Sequence, residues 1–374
     1  MNFIGIDLHT NRFTCCYRDE RSSVQEPVKG RVIKTFELDA EGLAAFYRTL
    51  TEDTYVLVEA TAPTFSFVRL LEGRVKETVI ANTYELKQVS LARNNTDKID
   101  ADKLCRIMKA RVLSGEPMVS PVTLPPVEIQ ELRGLFTTYR LFQKQNVQLK
   151  NRIHSLLKEQ LYGFTQEEIF GKRDRKEIRE IAPGTPLHFQ INLLLDRLER
   201  AEEDVETLKG QVLRQAAPFM AQIQILTSMK GVSVFIAIAI IADIISVDRF
   251  KNSKSFTSYL RSAPSVSNSN TSVSNRGTNK KGRKLSATLL TQSLNHVMNS
   301  SLKLRRWYDR LCEYKKPGLV RTGLRRRVLA EIYQMLKKSE YHYGRDARNH
   351  DAKMAQYKRF LEKQEKTMIF KETA

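Results

Sequence analysis

Cysteine is scarce: four occur in 374 residues, Cys15, Cys16, Cys105 and Cys312, and none stands at a metal-ligand spacing. Adjacent Cys15 and Cys16 point to opposite faces of any strand, so the set reads as reduced thiols of a cytoplasmic chain. Long apolar runs are missing too. The longest, Val234 to Ala242, meets Asp243 and falls well short of the roughly 20 residues of a membrane span. The opening, MNFIGIDLHT, has no basic leader region and reaches an acid at Asp7, so no secretory leader and no membrane partner are expected. There is no G-x-x-x-x-G-K-[ST] loop and no dinucleotide fingerprint, which disfavours a nucleotide-driven motor. Acid is in short supply: 62 Lys+Arg face 42 Asp+Glu, a formal net charge of +20 and a pI near 9.8. Such a field attracts polyanions, nucleic acid foremost, although ribosome-associated and membrane-surface proteins share it.

What is present divides along the chain. At this length more than one core is expected, and 41% hydrophobic residues can fill two or three. Residues 1–115 look α/β. Phe3 to Asp7, Phe13 to Tyr17, Arg31 to Leu38, Tyr55 to Glu59 and Lys76 to Ala81 read as strands, Glu41 to Leu50 as a helix, and Asp97 opens another helix. Pro117, Pro121, Pro125 and Pro126 then mark a linker. Beyond it, Leu132, Leu135, Tyr139, Phe142, Asn146, Leu149, Ile153 and Leu156 follow a three-four spacing. Ile191, Leu194, Leu198, Ala201, Val205, Leu208 and Val212 repeat it. Two such stripes cannot stay exposed, so residues 126–216 are expected to form an antiparallel coiled-coil hairpin or to pair with another subunit. Residues 218–345 read as a mainly helical domain. Within it, residues 251–284 hold eight Lys and Arg, no acid, and a Ser/Asn run from Ser262 to Asn275. Residues 346–374 are a basic tail, read as an exposed helix or a disordered extension.

Four acids stand where chemistry on phosphates needs them. Asp7 ends the first strand, Glu59 ends a later buried one, and Asp97 and Asp100, at i and i+3, share one side of a helix start. Mg²⁺, or Mn²⁺ in its place, prefers carboxylate oxygen. Two such ions roughly 4 Å apart stabilise the attacking and leaving oxygens of an in-line displacement. Taken singly, each acid has a plainer reading as a turn residue or cap, and Asp97 follows Thr96 as a cap would. Asp102 points off the face of Asp97 and Asp100.

Taken in order, Phe3-Ile4-Gly5-Ile6-Asp7, Val58-Glu59-Ala60-Thr61 and Thr96-Asp97-Lys98-Ile99-Asp100-Ala101 resemble the RuvC-like domain of the DEDD insertion-sequence transposases. These are relatives of the Piv-type invertases, and some are guided by a bridge RNA. The resemblance implies an RNase-H-like fold and Mg²⁺ or Mn²⁺ held by Asp7, Glu59, Asp97 and Asp100. Ala62 departs from it, where the family often has Gly.

The resemblance continues in the far domain. Ser228-Met229-Lys230-Gly231-Val232-Ser233 looks like the family's helix–hairpin–helix turn, with Ser233 in place of the second Gly. Such turns offer backbone N–H groups to a phosphate. Phe256 to Leu260, Pro264, Ser269 and Arg276-Gly277 are similar to the family's transposase domain, which implies a serine nucleophile at Ser269. Because Asn270 stands where Gly is usual, Ser267 and Ser272 remain alternatives. Without the resemblance, a Ser/Asn/basic stretch reads as a phosphate-contacting loop. No His neighbours the serine, so nearby cations would have to assist it. Lys230, Arg276, Lys280, Lys281, Arg283, Lys284, Arg325 and Arg326 are the candidate nucleic-acid contacts, more suited to phosphate than to base reading.

The implied function is a transposase of a mobile element, working through a phosphoserine on element-end and target DNA. It would act as a dimer or tetramer, nucleoid-associated in a bacterial or archaeal cytoplasm, with a structured guide RNA. One alternative is a RuvC-like nuclease or junction resolvase that uses the carboxylates alone. The other is a non-enzymatic basic nucleic-acid binder, for which four ordered acids have no use.

Overall fold

Strand β1 (Asn2–Leu8) is buried on both faces, as a strand inside a sheet must be. In the computed structural model it lies third in a sheet of order β3-β2-β1-β4-β5, with β2 (Arg12–Asp19), β3 (Val32–Glu37), β4 (Thr54–Glu59) and β5 (Glu77–Ala81). The structure describes residues 1–22, 30–89, 96–116, 118–163, 171–269, 272–278 and 282–372, of which 87–89, 172–173, 264–269, 272–278 and 366–372 are described by backbone alone. They divide into two units, Met1–Pro125 and Pro126–Ala374.

In the first unit β1, β2 and β3 are antiparallel neighbours, whereas β4 and β5 run parallel to β1. Parallel strands need a crossover; α2 (Thr64–Arg69) lies between β4 and β5, and α1 (Ala40–Tyr47) precedes β4. Strand alternation sorts the side chains. Ile4, Ile6, Leu8, Val56 and Val58 join Phe46 and Phe67 on one face. Phe3, Tyr55, Leu57 and Val79 meet Ala101, Leu104, Cys105 and Met108 on the other. Those last four belong to α4 (Asp97–Ser114), which follows the short α3 (Thr83–Val89). This mixed sheet with helices agrees with the RNase-H-like expectation.

Helix α4 rests directly on β1 because Gly5 has no side chain. A Cβ there would stand 2.1 Å from both the Ala101 carbonyl oxygen and the Cys105 nitrogen. One turn into the helix, Asp102 pairs with Arg18 of β2 at 2.8 Å, both side chains buried, so Asp102 is a core residue. The proline-rich segment is no free linker. Val119, Val122 and Leu124 pack onto this unit, and the Val122 N–H donates to the Ile80 carbonyl at 2.7 Å. Apolar residues between the prolines thus cover the outer edge of β5.

Among its described residues, the secondary structure of the second unit is helical apart from one hairpin. Its elements are α5 (Val127–Glu159), α6 (Lys172–Arg179), α7 (Pro186–Gln215), α8 (Met220–Thr227), α9 (Val234–Ile244), α10 (Ser253–Tyr259), β6 (Pro264–Ser269), β7 (Ser272–Thr278), α11 (Leu285–Asn299), α12 (Leu302–Cys312), α13 (Pro317–Lys338) and α14 (Ala347–Glu372). Every residue of the two apolar stripes in α5 and α7 is buried or partly buried. Ile153 and Leu157, late in α5, meet Ile191, Leu195 and Leu198, early in α7; the opposite ends meet through Ile129, Leu132, Val205 and Val212. The two helices are therefore antiparallel. Helix α9 is the centre, buried from Ile236 to Ile244. The segment expected as an exposed helix or disordered extension is instead α14 with an inner face. Met354 and Tyr357 are buried, and the Tyr357 hydroxyl donates to the Leu213 carbonyl at 2.7 Å. Among the described residues, no helix is long and apolar enough to cross a membrane.

Replacing Gly5 by Ala forces α4 away from β1. Overpacking of this kind costs about 1–3 kcal/mol or more. Hydrogen exchange of the β1 and α4 amides in urea should show a lowered midpoint, with the second unit unchanged.

Candidate active site

The carboxyl edge of the parallel strands gathers the acids. Ile6 pairs with Val58 in register, so Asp7 and Glu59, the next residues along, reach the same edge on the face that carries α4. Thr64 fixes the end of β4, its hydroxyl donating to the Glu59 carbonyl at 2.6 Å. Ala62, in the turn between them, is not among the residues with positive φ, so no glycine is required there. Above the edge, Thr96 caps α4 by accepting from the Ile99 N–H, which places Asp97 and Asp100 in the first turn.

His9, in the turn between β1 and β2, also belongs to this cluster. Its N–H closes the β1–β2 turn onto the Arg12 carbonyl at 3.0 Å. Its Nε2 lies 3.2 Å from Asp7 Oδ2 and 3.4 Å from Asp97 Oδ1. Arg12 Nη2 reaches the other oxygen of Asp97 at 3.2 Å, and Lys103 Nζ pairs with Asp100 at 2.9 Å. Burial holds the Asp7 carboxyl above the usual carboxylate range; His9 draws it down, while Asp97 and Asp100 push it further up. Ligand atoms of Asp7, His9 and Asp97 all lie within 4.8 Å of one another. Carboxylates that repel one another beside a partly buried acid form a donor set that fits a divalent cation.

The second unit carries the other candidates. Ser269 ends β6, its backbone paired with Ser272 of β7, and Ser267 pairs with Ser274; their side chains, and that of Arg276, lie outside the described residues, as do Lys280 and Lys281 entirely. The feet of this hairpin are tied to the helices. Gly282 has φ +94°, and a Cβ on it would stand 2.1 Å from the Tyr259 carbonyl oxygen. Arg261 Nε donates to the Gly282 carbonyl at 2.7 Å, and the Arg283 N–H donates to Tyr259. Arg325 donates to the Ser262 hydroxyl, the Thr291 hydroxyl and the Arg261 carbonyl at 2.9 to 3.1 Å. Beneath lies Asp243 of α9, 1% exposed. It pairs with Arg283 at 3.2 Å and accepts the Ser286 N–H at 2.9 Å. Arg133 binds the Ala242 and Asp243 carbonyls, and burial, with Arg283 nearby, pushes its pKa down to about 10. Of the remaining cations, Lys230, Lys284 and Arg326 are exposed.

At the turn between α8 and α9, Gly231 has φ +93°, and a Cβ on it would come within 2.7 Å of Val297. Ser233, the residue that departs from the family pattern, caps α9 by accepting from the Ile236 N–H at 3.2 Å. Neither Asp243 nor His9 was singled out by sequence. For His9 a signal existed, since Asp7 and His9 are two apart on an extended chain and so share a face. For Asp243 there was none, because an acid ending an apolar helix reads as its exposed end.

Two family models match the chain. Residues 4–161 match a model of DEDD transposases of the IS110 group, described as a transposase. Residues 223–309 match one described as the transposase IS116/IS110/IS902 family. The first match spans Asp7, Glu59, Asp97 and Asp100, and the second spans Ser269 and the feet of its hairpin. Comparison with curated proteins gave no match. The matched DEDD domain, with its carboxylate cluster at the sheet edge, defines an enzyme that uses a divalent metal. The chain belongs to the DEDD insertion-sequence transposase family and is a DNA transposase.

Asp243→Ala leaves Arg283 without its buried partner and removes the cap of α11. Arg283 is 40% exposed and can regain water, so the main cost is the buried Ser286 N–H left without its acceptor, about 1–3 kcal/mol. Asp243→Asn, which still accepts from Ser286, should lose less. Trp307, the only tryptophan, reports both denaturation midpoints by fluorescence.

Proposed function

We propose that this transposase cuts and rejoins the ends of its element through a serine ester at Ser269, with Asp7, Glu59, Asp97 and Asp100 holding Mg²⁺ or Mn²⁺. The observation that carries this reading is the convergence of acids from β1 and the first turn of α4 at one sheet edge, around the partly buried Asp7. A DNA-binding protein without catalysis gains nothing from such a cluster, whereas displacement at a phosphodiester requires cations there.

Divalent ions at these acids supply positive charge for the phosphoryl oxygens. The Ser269 hydroxyl attacks phosphorus and gives its proton to water. The P–O3′ bond breaks, and the leaving 3′ oxygen takes up a proton, leaving a 5′-phosphoserine. In the second step a 3′-hydroxyl of another strand attacks this ester and loses its proton, and the serine oxygen leaves and regains one. One phosphodiester replaces another, so no ATP is consumed. Lys230, Lys284 and Arg326 are exposed and suited to phosphate contact. Arg276, Lys280 and Lys281, on the serine segment, are assigned the same role. Arg283 and Arg325 face protein acceptors, and their part is to hold the hairpin. We read residues 1–115 as the metal domain, 126–216 as an antiparallel coiled coil suited to subunit contact, 218–345 as the serine domain and 346–374 as its C-terminal extension. A structured guide RNA and assembly as a dimer or tetramer complete the proposal.

Incubating the protein with Mg²⁺, element-end DNA and co-purified RNA should give a DNA–protein adduct that resists SDS. Ser269→Ala, Asp97→Ala and EDTA should each abolish it. Cleavage without an adduct, unaffected by Ser269→Ala, would establish a nuclease that uses the carboxylates alone.

A further inference from the structure

We infer that His9 is a nitrogen ligand of the cation at the carboxylate cluster, and that it turns the site towards Mn²⁺ and away from Mg²⁺. The inference rests on the metal-site reading above and adds a ligand outside its four acids. Phe3, Gly5, Asp7 and His9 alternate onto the α4 side of β1, and the tight turn closed between His9 and Arg12 carries the imidazole over the sheet edge. There Nε2 faces one oxygen of Asp7 and one of Asp97, at 3.2 and 3.4 Å. Adjacent donors around an octahedral ion stand roughly 3 Å apart; the two distances from Nε2 are close to that spacing, and the ligand atoms of all three residues lie within 4.8 Å of one another.

A counter-charge role alone explains this placement less well. Asp97 already has a permanent cation, Arg12, on its other oxygen, and Asp100 has Lys103. Asp7, at 13% side-chain exposure more enclosed than Asp97 and Asp100, has no Lys or Arg in ion-pair range among the described residues; it has His9. Imidazole donates to first-row transition ions, while Mg²⁺ holds to oxygen and gives up its water reluctantly. A site of two to four carboxylates and one imidazole therefore favours Mn²⁺.

Pulsed electron paramagnetic resonance of the full-length protein with Mn²⁺ tests this without reference to activity. Wild type should show ¹⁴N coupling to the bound ion. His9→Ala should lose the coupling and bind Mn²⁺ roughly tenfold more weakly or worse, with a smaller loss for Mg²⁺ in competition, while circular dichroism confirms an unchanged fold. Mn²⁺ bound and released by Asp97→Ala, yet without ¹⁴N coupling in wild type, would overturn the inference and leave the carboxylate site standing. Coupling that persists in His9→Ala would also overturn it. Mn²⁺ binding indifferent to Asp97→Ala would overturn the carboxylate site and the inference together.

Discussion

Backbone laid against backbone is the contact on which the first unit depends. With hydrogen in place of a side chain at Gly5, α4 comes down onto β1 until the Ala101 carbonyl and the Cys105 amide occupy the space a methyl would need. Everything at the sheet edge inherits that distance. Were the helix a methyl's width higher, its first turn would carry Asp97 and Asp100 away from Asp7, and His9 could not face both sides at once. The Arg18–Asp102 pair, sealed beneath the same helix, resists rotation, because turning α4 would leave a charge buried and alone.

In the second unit a polar knot serves a comparable purpose. Helix α9 is apolar almost throughout, yet ends in a buried carboxylate. Asp243 meets Arg283 and the Ser286 amide of α11 at one point, while Arg133 of α5 ties the Ala242 and Asp243 carbonyls. Three helices distant in sequence, α5, α9 and α11, thereby share one set of hydrogen bonds, each with a defined geometry. Apolar packing alone would tolerate sliding between these helices; this arrangement does not.

Much of this was legible in the chain. The central strands of the first unit were written as short, nearly continuous apolar runs, which follow from burial on both faces, and the stripes of α5 and α7 in their three-four spacing, which follows from burial on one. The acids were legible because strand ends and a helix start are places sequence marks clearly. Hairpin β6–β7 was not, since Ser and Asn carry little strand preference and its pairing is backbone to backbone. Asp243 and α14 escaped for another reason: an acid closing an apolar helix and a polar helix near the end of the chain both find their inner contacts on segments far along the chain. His9 lay between: it stands two residues beyond an identified acid, but its approach to Asp97 depends on where α4 packs.

The tied feet of the hairpin have a consequence for how such a protein diversifies. Its closure is secured by Gly282, Arg261, Arg283 and Arg325 rather than by its own strands. Lengthening a closed loop is thermodynamically cheap, about 0.6 kcal/mol for each doubling. Insertions and exchanges between residues 264 and 281 therefore leave the helical core untouched. What limits change in that stretch is chemistry at the serine rather than the folding of the helices beneath it.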